Sequence, residues 1–119
     1  MADYTRLTNL EVTEDLKAAT LAGTFQGLLG STTLSKSADY SLAASEKTPY
    51  IGITLSAASK TVTLGLETGQ VAIVVNEGGT NAFTLKNVSG DSGTSLAAGK
   101  LAIIKASKTA NGSKVYVLN

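Results

Sequence analysis

The sequence predicts an all-β protein, an antiparallel β-sandwich or jelly-roll-like domain preceded by an extended N-terminal arm. Three observations lead to this class. From Ala38 onward, short apolar stretches recur about every ten residues, which is typical of strands in sandwiches and small barrels. Turn-forming residues separate these stretches. Within several of them, apolar and polar residues alternate, as in a strand with one buried face.

Residues 1–30 differ in sequence pattern from the rest of the chain. The run Thr8-Asn9-Leu10-Glu11 is typical of a capping box, which would begin a helix. Against a helix, Val12 and Thr13 are β-branched and glycines recur later in the segment, so we favour extended segments that form an arm. Residues 31–37 are small and polar, which predicts a linker between the arm and a domain at 38–119.

Seven strands are predicted within this domain, at residues 38–44, 50–55, 60–64, 70–76, 82–87, 100–106 and 113–118.

Individual strands carry distinct patterns. Val71–Val75 is continuously apolar, which predicts a central strand covered on both sides. Phe83–Lys86 alternates with period two, so Phe83 and Leu85 share one face. Asn111-Gly112 is a strong signal for a two-residue hairpin joining the last two strands. No solenoid repeat is evident in the sequence.

Composition argues against most chemistry. The 119 residues contain no histidine, cysteine or tryptophan. Histidine is the commonest general acid–base and metal-ligating residue, and cysteine is the commonest soft metal ligand. We therefore expect a non-enzymatic protein that uses no cofactor and no metal.

The charge balance bears on partners. A formal net charge of +1, with 16% charged residues, argues against binding to nucleic acid or to an anionic membrane surface. The chain does not open with a basic stretch followed by an apolar run, and no apolar stretch approaches the roughly 20 residues that cross a bilayer. We therefore expect neither a signal peptide nor a transmembrane segment.

Three motifs that resemble chemical sites have simpler interpretations. Gly93–Lys100 resembles a phosphate loop, but five residues separate its glycines where the motif needs four, and a strand follows it. The neighbouring Glu14 and Asp15 lack the aromatic platforms of a sugar-cleaving cleft, which favours a solvated acidic patch. A calcium site of oxygen ligands at Asp91 remains an open alternative, although the acidic spacing of an EF-hand is missing.

Aromatic residues make up only 5% of the chain, so its core must be aliphatic and thin. Oligomerisation is a common remedy for a thin core, and we expect it here. Phe83 and Tyr116 lie in strand patterns that fit either a core or an interface, and we assign Phe83, Leu85 and Tyr116 to an oligomer interface. Tyr4 lies in the arm, away from any local core, and is a candidate contact residue.

Several segments together resemble the head-fibre and capsid-decoration proteins of tailed phages. The opening residues look like the start of many phage fibre subunits, and the later strands follow the order seen in the C-terminal part of this family. The segments that carry the resemblance are Leu7–Thr13, Ala38–Leu42, Lys60–Leu64, Gly69–Asn76, Phe83–Leu85 and Val115–Leu118.

The resemblance implies a structural virion protein, assembled in the host cytoplasm and seated on the capsid exterior as a homotrimer. Its partner would be the major capsid protein, and the N-terminal arm would dock on the shell. An extended arm of alternating apolar residues suits strand addition to an exposed sheet edge. The arm residues that we expect to bind the capsid are Tyr4, Leu7, Leu10, Val12 and Leu16.

Two other functions remain as alternatives. One is a tail-associated or receptor-binding fibre module that recognises host surface carbohydrate, although the low aromatic content argues against sugar platforms. The other is a hydrolase with a site built from oxygen ligands, which the absence of histidine and cysteine disfavours.

Overall fold

The computed structural model describes residues 30–118, and these residues confirm the all-β class. Within this range the chain forms nine strands and a short 3-10 helix at Ala44–Glu46. The strands are β1 (Ser31–Lys36), β2 (Tyr40–Ser41), β3 (Tyr50–Leu55), β4 (Lys60–Thr63), β5 (Val71–Asn76), β6 (Phe83–Lys86), β7 (Thr94–Leu96), β8 (Leu101–Lys105) and β9 (Lys114–Leu118).

The strands form two mixed sheets rather than the antiparallel ones that we predicted. The five-stranded sheet has the order β1-β3-β5-β8-β9, and the four-stranded sheet has the order β2-β4-β6-β7. Pairing is parallel among β1, β3 and β5, and among β2, β4 and β6. It becomes antiparallel where β7, β8 and β9 join. The prediction of antiparallel pairing was therefore wrong for the first six strands.

The first six strands wind like the coils of a solenoid, a feature that sequence reasoning missed. From β1 to β6, successive strands alternate between the two sheets. Each strand from β3 to β6 pairs in parallel with the strand two places before it in the chain. Leu34, Ile53 and Asn76 share one level of the five-stranded sheet. The spacing between such positions is roughly 20 residues, which is within the range of solenoid repeats.

The core is aliphatic, as expected, and both sheets contribute to it. Inward side chains of the two sheets form one cluster, with Phe83 as its largest fully buried member. Ile51, Ile53 and Ile104 come from the five-stranded sheet, whereas Val62 and Phe83 come from the four-stranded sheet. Burial of aliphatic side chains, at about 25 cal/mol per Å² of apolar surface, is thus what joins the two layers.

The linker predicted at residues 31–37 is mostly strand. Ser31–Lys36 forms β1 and pairs in parallel with β3 along its whole length. The segment looked like a linker because its residues are small and polar, but Leu34 is buried in the core. Its hydroxyl-bearing residues Ser31, Thr33 and Ser35 are exposed on the other side of the strand, so its polarity reflects a solvated face.

Three further elements differ from their predicted form. The strand predicted at 38–44 is reduced to the two residues of β2, and β7 was not predicted. The last two strands do pair antiparallel, but eight residues, 106–113, connect them instead of a two-residue hairpin. Asn111 adopts a left-handed φ of 60° inside this longer loop.

Strand β5 lies at the centre of the five-stranded sheet, as its apolar sequence predicted. It is covered on one side only within the described subunit. Ala72 and Val74 face the core, whereas Val71 and Ile73 are exposed. Among residues 30–118, there is no helix long and apolar enough to cross a membrane.

Candidate interaction surface

The outer side of the four-stranded sheet is polar. Its strands alternate, so that apolar residues such as Val62 and Leu85 point into the core. The outward residues, which carry hydroxyl groups or a charge, are Thr61, Thr63, Thr84, Lys86 and Ser95. A sheet with one polar and one apolar side is the ordinary arrangement for a layer that faces water.

The outer side of the five-stranded sheet is apolar over strands β5, β8 and β9. The register of these strands sets their outward aliphatic and aromatic side chains next to one another. We call this group the apolar face, and it comprises Val71, Ile73, Val75, Leu101, Ile103, Tyr116 and Leu118.

Much of the apolar face is exposed. The exposed fraction is 60% for Tyr116, 54% for Val71, 48% for Leu118 and 37% for Ile73. The other three members are half-buried by their neighbours. Single exposed apolar residues are normal, whereas contiguous exposed groups are typical of interaction surfaces, so we treat the apolar face as the candidate site.

The apolar face ends abruptly toward β3 and β1. At the levels of Val75 and Ile73, the outward residues on β3 are Gly52 and Tyr50, and those on β1 are Thr33 and Ser31. Tyr50 is half-buried, and its hydroxyl is hydrogen-bonded to Glu77. The outward aliphatic residues at these levels are therefore confined to β5, β8 and β9.

An acidic corner borders the apolar face on the β3 side. The Glu77 carboxylate lies over Gly52, in space that a β-carbon at that position would occupy. The Tyr50 hydroxyl donates a hydrogen bond of 2.7 Å to Glu77 Oε2. This hydrogen bond is the main cause of the raised pKa of Tyr50, because it stabilises the neutral phenol beside a carboxylate. Gly52 and Tyr50 together fix where the negative charge lies, and we call Glu77 the acidic corner.

A basic margin borders the opposite end of the apolar face. Lys105 and Lys114 are directly paired neighbours on β8 and β9, and Lys105 also pairs with Val71 on β5. Both lysines are exposed. They lie four residues along β8 from the level of Leu101, which is about 13 Å for an extended strand.

The predicted interface residues fall into two groups. Phe83 and Leu85 are buried in the subunit core, so assigning them to an oligomer interface was wrong. The alternation of apolar and polar residues in β6 predicted that one face of the strand is buried, but not whether a partner or the same subunit buries it. Here the opposite sheet of the same subunit covers that face. Tyr116 is exposed on the apolar face, where a partner can reach it.

The predicted capsid-binding residues lie outside the described residues. These are Tyr4, Leu7, Leu10, Val12 and Leu16, all within the arm predicted at residues 1–30, of which the structure describes only Gly30.

Sequence reasoning missed most of the apolar face and both charged borders. The available signal was the continuous apolar run Val71–Val75, because a strand that is apolar on both sides needs two partners. Among residues 30–118 the core covers one side of this strand, and Val71 and Ile73 on the other side are exposed. Glu77, Lys105 and Lys114 carried no recognisable motif, since their significance depends on strand register.

Asp91, the candidate calcium ligand, instead holds loops together. Its Oδ1 accepts a hydrogen bond of 2.6 Å from the Asn111 amide, and its Oδ2 accepts bonds of 2.9 and 3.1 Å from the amides of Asn87 and Val88. Burial raises the pKa of this carboxyl, but the three amide donors outweigh burial, and the net pKa is lowered. No cluster of three or more potential metal ligands occurs in the part of the chain that the structure describes.

Comparisons with known proteins identify no relative: no family model, curated protein or solved structure matches this chain.

Proposed function

We propose that this chain is a structural virion protein, a capsid decoration or short head-fibre subunit that binds the outside of a phage capsid as a homotrimer. Its two sheets would form a β-sandwich that carries the contacts between subunits, and the extended N-terminal arm would dock on the major capsid protein. The protein has no catalytic role in this proposal.

The observation that carries the proposal is the apolar face. A surface of this kind is expected to be covered by protein in the working assembly, because leaving it in water forfeits the free energy of burying it. The contrast with the polar outer side of the four-stranded sheet supports this interpretation, since that side suits water whereas the outer side of β5, β8 and β9 does not. A composition without histidine or cysteine is consistent with a protein that binds rather than reacts.

The test is to measure the mass and capsid binding of the full-length protein. Light scattering at micromolar concentration is expected to give three times the subunit mass of 12.1 kDa. Sedimentation with undecorated capsids is expected to carry the protein into the pellet, and a matched sample without capsids should leave it in the supernatant. A monodisperse monomer that stays in the supernatant with capsids present would refute the proposal.

One observation favours the carbohydrate-binding alternative. Tyr116 presents an exposed aromatic ring on a flat sheet, and such a ring is able to stack on a sugar. A glycan array separates the two functions, because a decoration protein should show no glycan signal. A signal that is lost in Tyr116→Ala would favour the fibre module.

A further inference from the structure

We infer that copies of this chain associate through the apolar face, with the acidic corner of one copy against the basic margin of the next. The inference deepens the proposed function, since it assigns the subunit contact of the oligomer to particular residues. It rests on self-association, but it does not depend on where the assembly binds.

Strand β5 provides the first argument. Strand β5 is apolar on both sides from Val71 to Val75, yet Val71 and Ile73 remain exposed among residues 30–118. Tyr116 and Leu118 extend the same exposed surface across β9. The area concerned is on the order of a few hundred Å², which is the size of patch that marks functional contacts on protein surfaces.

The placement of the charges provides the second argument, and it identifies the occupant as a second copy. Glu77 lies on the β3 side of the apolar face, near the level of Leu101. Lys105 and Lys114 lie on the other side, at the level of Val71. The two borders are therefore at diagonally opposite corners.

A rotation axis that lies in front of the apolar face, parallel to it and perpendicular to the line joining these corners, brings opposite corners of neighbouring copies together. The acidic corner of one copy then meets the basic margin of the next, while Ile73 and Ile103 lie near the axis. This holds for three copies as in the proposed function, and equally for two. The apolar face is thus complementary to itself in its pattern of charge, whereas a partner of unrelated sequence would need a matching arrangement of its own.

Charge reversal provides the first test, using full-length protein at low salt. Glu77→Lys places three like charges at each contact, and the double variant Lys105→Glu with Lys114→Glu does the same with opposite sign. Each is expected to raise the concentration at half-dissociation by about tenfold or more, as close charge pairs at interfaces do. The triple variant that combines all three substitutions restores opposite charges at every contact and is expected to assemble like the wild type.

The triple variant also allows a self-sorting test. Mixed with differently tagged wild type, it should assemble only with itself, because every contact between the two kinds of subunit is repulsive. Lys86→Glu, on the polar outer side of the four-stranded sheet, is the matched control and should leave the mass unchanged. Circular dichroism of each variant establishes that the subunits remain folded.

Photo-cross-linking provides the second test and identifies the occupant directly. Because the chain has no cysteine, Ile73→Cys gives a single attachment point for a benzophenone maleimide. Illumination is expected to produce dimers on a denaturing gel, with peptides from β5, β8 or β9 attached to the probe. The control Thr33→Cys, on the polar half of the same sheet, should give few dimers.

Each other outcome overturns the inference in a distinguishable way. An oligomeric wild type whose mass is unaffected by Glu77→Lys and by Ile73→Lys would leave the proposed homotrimer standing but remove this contact. Capture of residues 1–29 by the probe would assign the face to the N-terminal segment. A monomeric wild type would refute self-association itself, and capsid sedimentation would then decide the remainder of the proposed function.

Discussion

At the scale of single residues, two buried asparagines connect the parallel strands β1 to β6 to the segments around β7 and β8. Asn76 occupies the inward level at which the earlier coils carry Leu34 and Ile53. Its amide nitrogen donates to the carbonyl oxygens of Asn81 and Leu96 at 2.8 and 2.9 Å, and its Oδ1 accepts from Gly78. A buried amide is tolerated here because both of its N–H donors and its oxygen have hydrogen-bond partners.

Asn87 has the same role at the other sheet. It is fully buried, accepts a hydrogen bond of 2.7 Å from the Leu66 amide, and donates to the carbonyl oxygens of Leu66 and Ser107. These bonds link the turn after β4 to the loop after β8. The two asparagines therefore hold backbone segments that make few ladder hydrogen bonds of their own.

Asn76→Ala is expected to lower the free energy of unfolding by about 2–4 kcal/mol, because it removes a buried side-chain amide and leaves the buried Leu96 carbonyl and the half-buried Gly78 amide without that partner. Urea denaturation followed by circular dichroism measures the change. Asn81→Ala is the matched control, since the half-buried Asn81 side chain makes a single bond of 2.9 Å to the Leu55 carbonyl oxygen. Its cost should be about 1 kcal/mol, and equal costs for the two variants would contradict the role given to Asn76.

At the scale of elements, the Asp91 carboxylate fixes the loops that follow β6 and β8. It accepts amide hydrogen bonds from both loops, including the one at Asn111, and Asn111 Oδ1 in turn accepts from the Ser92 amide at 2.7 Å. These reciprocal bonds explain why Asn111 adopts a left-handed conformation, which asparagine tolerates better than most residues.

The lowered pKa of Asp91 predicts a dependence of stability on pH. Because the folded-state pKa lies below that of the unfolded chain, the carboxylate stabilises the fold at pH values above about 3.9. This contribution is lost as the pH falls through the folded-state pKa. Asp91→Asn should therefore be destabilised near neutral pH, by about 1–3 kcal/mol, and the difference from wild type should shrink on acidification.

Urea denaturation at several pH values between about 2 and 7 measures this difference. Asp39→Asn is the matched control, because the Asp39 side chain is exposed and accepts one bond, of 2.9 Å, from the Thr61 amide. A gap between wild type and Asp91→Asn that stays constant over this range would refute the assignment.

The positions of most strands were predictable from the sequence, whereas their pairing was not. Tyr50–Leu55 was predicted at its observed bounds, and Val71–Asn76 within one residue, because apolar runs and alternation report burial directly. Alternation is the same in parallel and antiparallel strands, so it carries no information about neighbours. A turn-forming segment such as Ser56–Ser59 marks the end of a strand but not the sheet that the next strand joins, and here the chain passes from β3 to β4 in the other sheet.

The candidate surface was predictable only in part for the same reason. Tyr116 was assigned to an interface because it lies in a strand pattern that fits either a core or an interface. Phe83 lies in a strand of the same pattern but is buried in the core. Burial by the opposite sheet and burial by a partner produce the same alternation, so the sequence does not distinguish them. Separating the two requires the sheet order, which places β9 and β5 in the layer whose outer side is apolar.

At the scale of the whole molecule, the proposed assembly separates self-association from shell binding. The apolar face and its charged borders lie within residues 30–118, so these residues contain the proposed subunit contact. The proposed capsid contact belongs to the arm at residues 1–30. Three tethered arms would bind a lattice more tightly than one arm by a factor of roughly 10²–10⁴ if they engage together.

Deletion of residues 1–30 is therefore expected to leave a folded oligomer that no longer binds capsids. Light scattering should give the same number of subunits as for the full-length chain, and capsid sedimentation should leave the truncated protein in the supernatant. A full-length variant with Tyr4→Ala and Leu10→Ala provides a control without deletion, and its capsid binding should be weakened while its mass is unchanged. Retained capsid binding by the truncated oligomer would refute docking by the arm, because the shell contact would then have to lie on the two sheets.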